Sequence, residues 1–356
     1  MRVKLKDITK FSKGTQINGK NLIDDGAYSY LNGGINPSGK WNEFNVAENT
    51  VTISEGGNSS GYVNYMNEAF WCGAHCYYLY DGPKNSKYLY YALKSQQERL
   101  FRIRSGACMP NIKKSDLGNF IIEYEKDEVR QEEVVKVLEK CELLIEDYNK
   151  KLTLLDEAVR ARFVEMFGDL RINDKGWKYY KLDELTELIT DGEHAIPKRT
   201  TQGIYLLSAR NVLNHQLSLE DVDFIDCDEF DRISRRIIPK EGDVLISCSG
   251  SIGRCCIVPK NIKFQMVRSI ALLRFKSNIN PVFAEYMITS DYLQDQINKS
   301  KTASSQANLF QGKIKSLKGV VPPLELQNQF ASFVQEIDKS RLLSNHSLLL
   351  LKSIIF

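Results

Sequence analysis

Few residues in this chain of 356 residues have the types and spacing that catalysis or metal binding needs. The segment Gly34 to Trp41, GINPSGKW, carries the glycines and lysine of a phosphate-binding loop. Such a loop needs Ser or Thr after the lysine to hold magnesium, and Trp41 stands there, so a surface turn is expected instead. Cys72, His75 and Cys76 are metal-ligand types at close spacing, yet four-coordinate zinc needs a second pair, and none follows at a usual interval. Cys255 and Cys256 are adjacent and should face opposite sides of a strand, as buried free thiols. With only four histidines, His75, His194, His215 and His346, no Ser/His/Asp or Cys/His constellation can be assembled. There is no glycine-rich dinucleotide fingerprint, and no Asn-Pro-Pro-Tyr-like loop to hold an exocyclic amine for methylation. The expectation is a non-catalytic chain with no metal and no cofactor.

Polar and basic residues remain, in loops at matching places of two halves. The first half offers Lys13, Thr15, Gln16, Asn32, Asn36, Lys40, Trp41, Asn58, Ser59, Ser60, Arg102 and Arg104. The second offers His194, Lys198, Arg199, Arg210, Asn211, Ser249, Ser251, Arg254, Arg268, Lys299, Lys301, Ser304, Ser305, Gln306 and Asn308. Arg and Lys can neutralise phosphates or bridge guanine edges, and Asn and Gln can pair with adenine. Small hydroxyl residues let a backbone approach closely. Taken singly, each is an ordinary surface residue; the signal is their recurrence in two unlike versions.

The elements that must position these residues are themselves doubled. KLKDITKFSKG (Lys4 to Gly14) runs parallel to KLDELTELITDG (Lys181 to Gly192), with Leu5 on Leu182. TVTISEGGNSSGYV (Thr50 to Val63) lies over DVLISCSGSIGRCC (Asp243 to Cys256), placing Val51, Ile53 and Ser54 on Val244, Ile246 and Ser247. Asn111-Ile112 meets Asn308-Leu309, and Gln131 meets Gln327. The offset widens along the chain, so the second half carries insertions. A repeat of this length is a duplicated domain, not a solenoid unit. Within each half, ISEGG and LISCSG read as strands ending in turns, while Ser86 to Phe101 and Asn280 to Ile297 have helical spacing. No alternating strand-helix-strand pattern appears, so the fold class is mixed α+β.

Each half closes on a long amphipathic helix. In the first, Val134, Val137, Leu138, Cys141, Leu144, Ile145, Tyr148, Leu152 and Leu155 form a stripe of alternating three and four, unbroken by Gly or Pro until Gly168. In the second, Phe330, Phe333, Val334, Ile337, Leu348 and Leu351 repeat it after Pro322-Pro323. A helix from Gln131 to Phe167 is roughly 55 Å long, and the nine residues to Gly176 reach at most about 30 Å. An antiparallel helix pair with one domain at each end, related by a pseudo-twofold axis, satisfies both lengths. The alternative, each helix packed on its own domain, leaves more stripe than a small domain can cover.

Composition permits two cores, since 42% of the residues are hydrophobic. A formal charge of +3 permits an anionic partner without requiring one. Eight cysteines without a signal-like start, and no apolar run of membrane length, point to the cytoplasm and no membrane partner. The LLLLKSIIF ending reads as a helix face.

The chain resembles the specificity subunits of type I restriction-modification enzymes. The likeness is carried by TDGEHAIPKRTTQGIYLLSARNV (Thr190 to Val212), EGDVLISCSGSIGR (Glu241 to Arg254) and SSQANLFQGKIKSLKGVVPPLELQNQF (Ser304 to Phe330). In the first half it rests on SGACMPNI (Ser105 to Ile112) and FVEMFGD (Phe163 to Asp169). The resemblance implies two target recognition domains, residues 1–128 and 170–323, each reading one half of a bipartite double-stranded DNA target. It implies two spacer helices, residues 129–169 and 324–356, that set the spacing and dock two methyltransferase subunits, on which restriction subunits that translocate and cleave DNA assemble. The first half has Lys13-Gly14-Thr15-Gln16 where the second has Asp191-Gly192-Glu193-His194, so the two targets should differ. A recognition subunit of a related type II system and a protein-interaction scaffold that never touches DNA are the competing readings.

Overall fold

The computed structural model describes residues 1–106, 108–299 and 308–355. Two compact units emerge, Met1–Lys151 with Leu343–Phe356, and Leu152–Leu342, and both mix short strands with helices.

In the first unit a four-stranded antiparallel sheet has the order Lys10–Lys13, Cys76–Tyr80, Thr50–Ser54, Val63–Met66. A second sheet sets Tyr28–Leu31 between Gly39–Trp41 and Phe70–Cys72, the latter pair parallel. Arg2–Lys4 pairs with Ile121–Glu123, and Leu5, fully buried, donates its N–H to Phe120. Alternation in Thr50–Ser54 sends Val51 and Ile53 into the core with Leu89, Leu93, Leu100 and Ile112.

The second unit repeats this plan. Its four-stranded sheet runs Thr186–Asp191, Ile270–Phe275, Val244–Ser247, Cys255–Ile257, again antiparallel. Ile204–Leu207 lies parallel to Phe264–Met266 and antiparallel to Asp223–Ile225. Tyr179–Lys181 pairs with Lys318–Val320, and Leu182 donates to Leu317 as Leu5 does to Phe120. The additions here include the hairpin Val212–Leu213/Gln216–Leu217 and the helix Cys227–Ser234. Cys255 and Cys256 do enter different clusters on opposite faces of their strand.

Each stretch with helical spacing becomes two short helices, Ser86–Lys94 and Gln97–Arg102, then Pro281–Thr289 and Asp291–Lys299. Ser290 has extended backbone (φ −63°, ψ 150°), which ends its helix. Both pairs open on an asparagine cap, Asn85 accepting from the Tyr88 N–H and Asn280 from the Val282 N–H, each at 2.9 Å.

The long helices are Glu128–Phe167 and Leu324–Ile355. In the first unit the packed face is Val135, Leu138, Cys141 and Ile145, against Tyr91, Leu351 and Ile355. Val134, Val137 and Leu144, expected in the stripe, stand 42%, 56% and 46% exposed. Four apolar residues lie between positions 134 and 138, enough for two adjacent faces, and Tyr91 and Ile355 select the one that contains Val135. Tyr148, Leu152 and Leu155 are half-buried. In the second unit Phe163 and Phe167 meet Phe330 edge-on at 5.4 and 5.5 Å, while Asp156 pairs with Arg341 at 2.7 Å. Rising numbers on one helix face falling numbers on the other, so within this unit the two segments are antiparallel. Val334 is buried, and Phe333 and Ile337 pack on the same core. Leu348 is buried while Leu349 and Leu350 are exposed, so the apolar ending is a helix face as far as Ile355. Among the described residues no helix is long and apolar enough to cross a membrane.

Two buried glutamines fasten the helices. Gln131 Nε2 donates to the Glu125 carbonyl at 2.6 Å and to the Tyr124 hydroxyl at 3.2 Å. Gln327 Nε2 donates to the Pro322 carbonyl at 2.8 Å, and its Oε1 accepts the Asn280 N–H at 2.8 Å. Gln327→Ala strands that buried N–H and carbonyl, so a loss of about 1–3 kcal/mol is expected. A urea titration monitored through the second unit will show it as a lower midpoint; an unchanged midpoint contradicts the clamp.

Candidate nucleic-acid interface

In both units the edge strand of the four-stranded sheet ends at the same register. Lys13 lies opposite Tyr77, and Asp191 lies opposite Ala271. The glycine that follows turns flat onto a neighbouring strand. A Cβ on Gly14 would lie 1.9 Å from the Cys72 carbonyl oxygen, and one on Gly192 2.4 Å from that of Met266, so neither position admits a side chain.

The adjoining turns match as well. The Ser54 N–H donates to Tyr62 and its carbonyl accepts from Gly61, while Ser247 pairs in the same way with Arg254 and Gly253. Gly61 and Gly253 have φ of 83° and 88°, a left-handed conformation that favours glycine. The next residue accepts at its carbonyl from the Asn111-Ile112 or Asn308-Leu309 segment, Ile112 N–H to Glu55 and Leu309 N–H to Cys248, both at 2.9 Å. The Glu55 N–H donates to His75 as the Cys248 N–H does to Ser269, each at 2.8 Å. One frame therefore presents Lys13, Glu55 and His75 in the first unit, and Asp191, Cys248 and Ser269 in the second.

In the first unit this set is linked. Lys13 Nζ donates to Glu55 Oε1 at 2.7 Å, and His75 Nδ1 is 3.4 Å from Oε2. Burial, then the Glu55 charge, pushes the Tyr77 hydroxyl up to about 12. Beside it, Ser59 Oγ donates to the Gly33 carbonyl at 2.6 Å, and Ser54 Oγ donates to the same oxygen. Asn32 Oδ1 accepts from the His75 N–H, and Arg104 lies 3.9 Å over the Phe101 ring and reaches the Asn58 carbonyl at 3.5 Å. Lys13, Asn32, Asn58, Ser59 and Arg104 are thus brought to one end of the sheet. Ser60 is fully buried and donates to the Glu55 carbonyl, so it shapes the turn and cannot meet a ligand. Thr15 and Gln16 are exposed, and the Thr15 carbonyl accepts from Trp71 Nε1 at 2.7 Å. Asn36 and Lys40 are exposed beside the three-stranded sheet, where half-buried Trp41 meets Trp71 edge-on at 6.3 Å. Arg102 is exposed. His75 turns outward to Glu55 while Cys72 and Cys76 are buried, so the three do not converge on a metal.

In the second unit His194, Ser249, Arg268 and Asn308 line one cavity of about 410 Å³, with Asp191 and Cys248 in its wall. Burial raises the Asp191 carboxyl above its usual range, partly opposed by His194 at 3.7 Å. Burial, then the Asp191 charge, pushes the Cys248 thiol up to about 12, so it stays protonated at neutral pH. Ser251 is exposed and Arg254 half-buried on the adjoining turn, and Lys198 and Lys299 are exposed. Arg199 and Arg210 converge on Asp223, at 3.0 and 3.2 Å, so acidic neighbours already answer them. Asn211 is 1% exposed, with Nδ2 bonded to the Ser218 and Asp221 carbonyls and Oδ1 to the Ser208 N–H. It is a structural strut, not a surface reader. Lys301, Ser304, Ser305 and Gln306 lie outside the described residues.

Asp191, Glu55 and His75 also stand in these clusters, and a pattern of cations and amides does not point to them. The signal was present in the pairing of Lys13-Gly14 with Asp191-Gly192.

A model of the type I restriction modification DNA specificity domain matches residues 1–155 and 174–352. The chain belongs to this family. A Mycoplasma pneumoniae protein named as a type I specificity subunit is 32% identical over 209 residues, 51% of this chain and 56% of that protein. One of the same description from Mycoplasma genitalium is 32% identical over 201 residues, 49% of this chain and 52% of its own length. The match thus spans about half the length of these curated relatives. Among solved structures, an S subunit of a type I restriction-modification system from M. genitalium superposes with a TM-score of 0.62 at 20% identity, covering 100% of this chain and 93% of that one. A chain from a study of type I complex assembly gives 0.54 at 14% identity, covering 100% of this chain and 95% of that chain. The likeness to both is one of fold.

Proposed function

We propose that this chain is the specificity subunit of a type I restriction-modification complex, a cytoplasmic recognition protein without catalytic chemistry of its own. Residues 1–128 and 170–323 act as target recognition domains, each reading one half of a bipartite double-stranded DNA sequence. The helices over 129–169 and 324–356 form an antiparallel coiled-coil spacer between them and dock two methyltransferase subunits, on which restriction subunits assemble. The observation that carries this reading is the repeated frame with unlike side chains at equivalent positions, Lys13, Glu55 and His75 against Asp191, Cys248 and Ser269. A common frame with different donors and acceptors is what two different DNA words require. The small net charge suits a subunit whose partners supply part of the phosphate contact.

Footprinting the chain with its methyltransferase subunits tests this. Two protected blocks separated by an unprotected spacer are expected, whereas a protein-interaction scaffold protects none. The helical ruler has its own test. Removing one heptad from both helices shortens them by about 10 Å, or about three base pairs at ~3.4 Å each. The spacer should shrink accordingly with both half-sequences kept, and an unchanged spacer contradicts the ruler.

A further inference from the structure

In the second unit Asp191 occupies the place that Lys13 holds in the first, at the same strand register and before the same close-packed glycine. The surroundings of the two differ in kind. Lys13 is answered by Glu55 at 2.7 Å, but the position of Glu55 is taken in the second unit by Cys248, a protonated thiol, and that of His75 by Ser269. Asp191 is not answered in this way. Its side chain is 21% exposed, in the wall of the cavity that His194, Ser249 and Arg268 also line. Among the described residues no hydrogen bond reaches its carboxylate; His194, itself exposed, is 3.7 Å away. The Arg236 guanidinium nearby donates to the Gly192 carbonyl and the Thr190 hydroxyl, each at 3.2 Å, and acts on Asp191 only through its charge.

A half-buried carboxylate without a donor is costly, and more so beside a polyanion. DNA phosphates cannot relieve that cost, because they only accept. The relief available on the major-groove edge is an exocyclic amine, cytosine N4 or adenine N6. We propose that Asp191 is a specificity-determining residue of the second recognition domain, accepting a hydrogen bond from the amino group of a cytosine or adenine that enters this cavity. The inference rests on the proposed function and deepens it. At this position the second half-site requires an amino-bearing base, and Lys13 presents the opposite polarity in the first unit. His194, 3.7 Å from the carboxylate, is a positioning residue.

The test is selection from a randomised duplex library by the full chain assembled with its methyltransferase subunits. With the unaltered chain, one position of the second half-site should be restricted to cytosine or adenine. Asp191→Ala should reduce that preference on the order of tenfold, leaving the other positions and the whole first half-site as they were. Asp191→Asn, isosteric and able to fold as the parent does, should lose preference for cytosine while tolerating adenine. If both variants return the parental sequence logo, or simply bind every duplex more tightly, Asp191 faces only the phosphate field and the proposal is overturned. If the unaltered chain selects no bipartite site, the proposed function falls and this inference with it. A bipartite site whose second half has no restricted amino-bearing base overturns the inference alone.

Discussion

Replacing Phe330 with alanine lowers the stability of unit Leu152–Leu342 by about 3–5 kcal/mol, the cost of deleting a fully buried aromatic side chain. The ring is 0% exposed and stands 5.4 Å from Phe163, 5.5 Å from Phe167 and 5.2 Å from Tyr286. These four rings, with Phe283 stacked on Phe163, weld the start of the second long helix and the end of the first to the core of that unit. The cavity left by alanine has rigid aromatic walls on several sides, so little collapse is available to offset it. Leu343→Ala, on the same helix, removes a side chain that is 69% exposed and should change stability by less than about 0.5 kcal/mol. Thermal unfolding of the two variants beside the parent separates the cases. Equal effects from both contradict the assignment of this helix to the aromatic core.

Exchanging residues 1–125 for the corresponding domain of another specificity subunit changes one half-site completely and leaves the other unaltered. The exchange point falls between the strand Ile121–Glu123 and the helix that begins at Glu128. It leaves Gln131 in place, with its bond to the Glu125 carbonyl retained as a backbone contact. Each base pair of the original first half-site then stops contributing the roughly 1–3 kcal/mol that a mismatch costs, so several such pairs together abolish recognition of the old sequence. Methylation patterns of the hybrid and parental complexes reveal the outcome. A change in both half-sites contradicts independent reading by the two domains.

The duplicated frame was legible in the sequence because it depends on local chemistry that repeats. Leu5 and Leu182, the Val-x-Ile-Ser strands, Asn111 and Asn308, and Gln131 and Gln327 each occupy matching structural positions in the two units. Glycine was informative too, since Gly14 and Gly192 sit where a strand end lies against a neighbouring carbonyl. The choice of helix face near residue 135 was not legible. Apolar residues at 134, 135, 137 and 138 allow two registers, and contact with Tyr91 and Ile355, distant in sequence, decides between them. The state of the candidate contacts was hidden for the same reason. Arg199 and Arg210 meet Asp223, and Asn211 meets Ser218 and Asp221, only because insertions in the second half fold back on each other. A residue list cannot tell a free cation from a paired one; the pairing is a tertiary fact.

Sequencing of methylated adenines in cells that carry this chain with its methyltransferase subunits, compared with cells lacking the chain, tests the central claim most directly. One methylated motif is expected, present only with the chain, made of two defined half-sites of different sequence separated by a fixed number of undefined base pairs. A single uninterrupted motif, or methylation that does not depend on the chain, would contradict it.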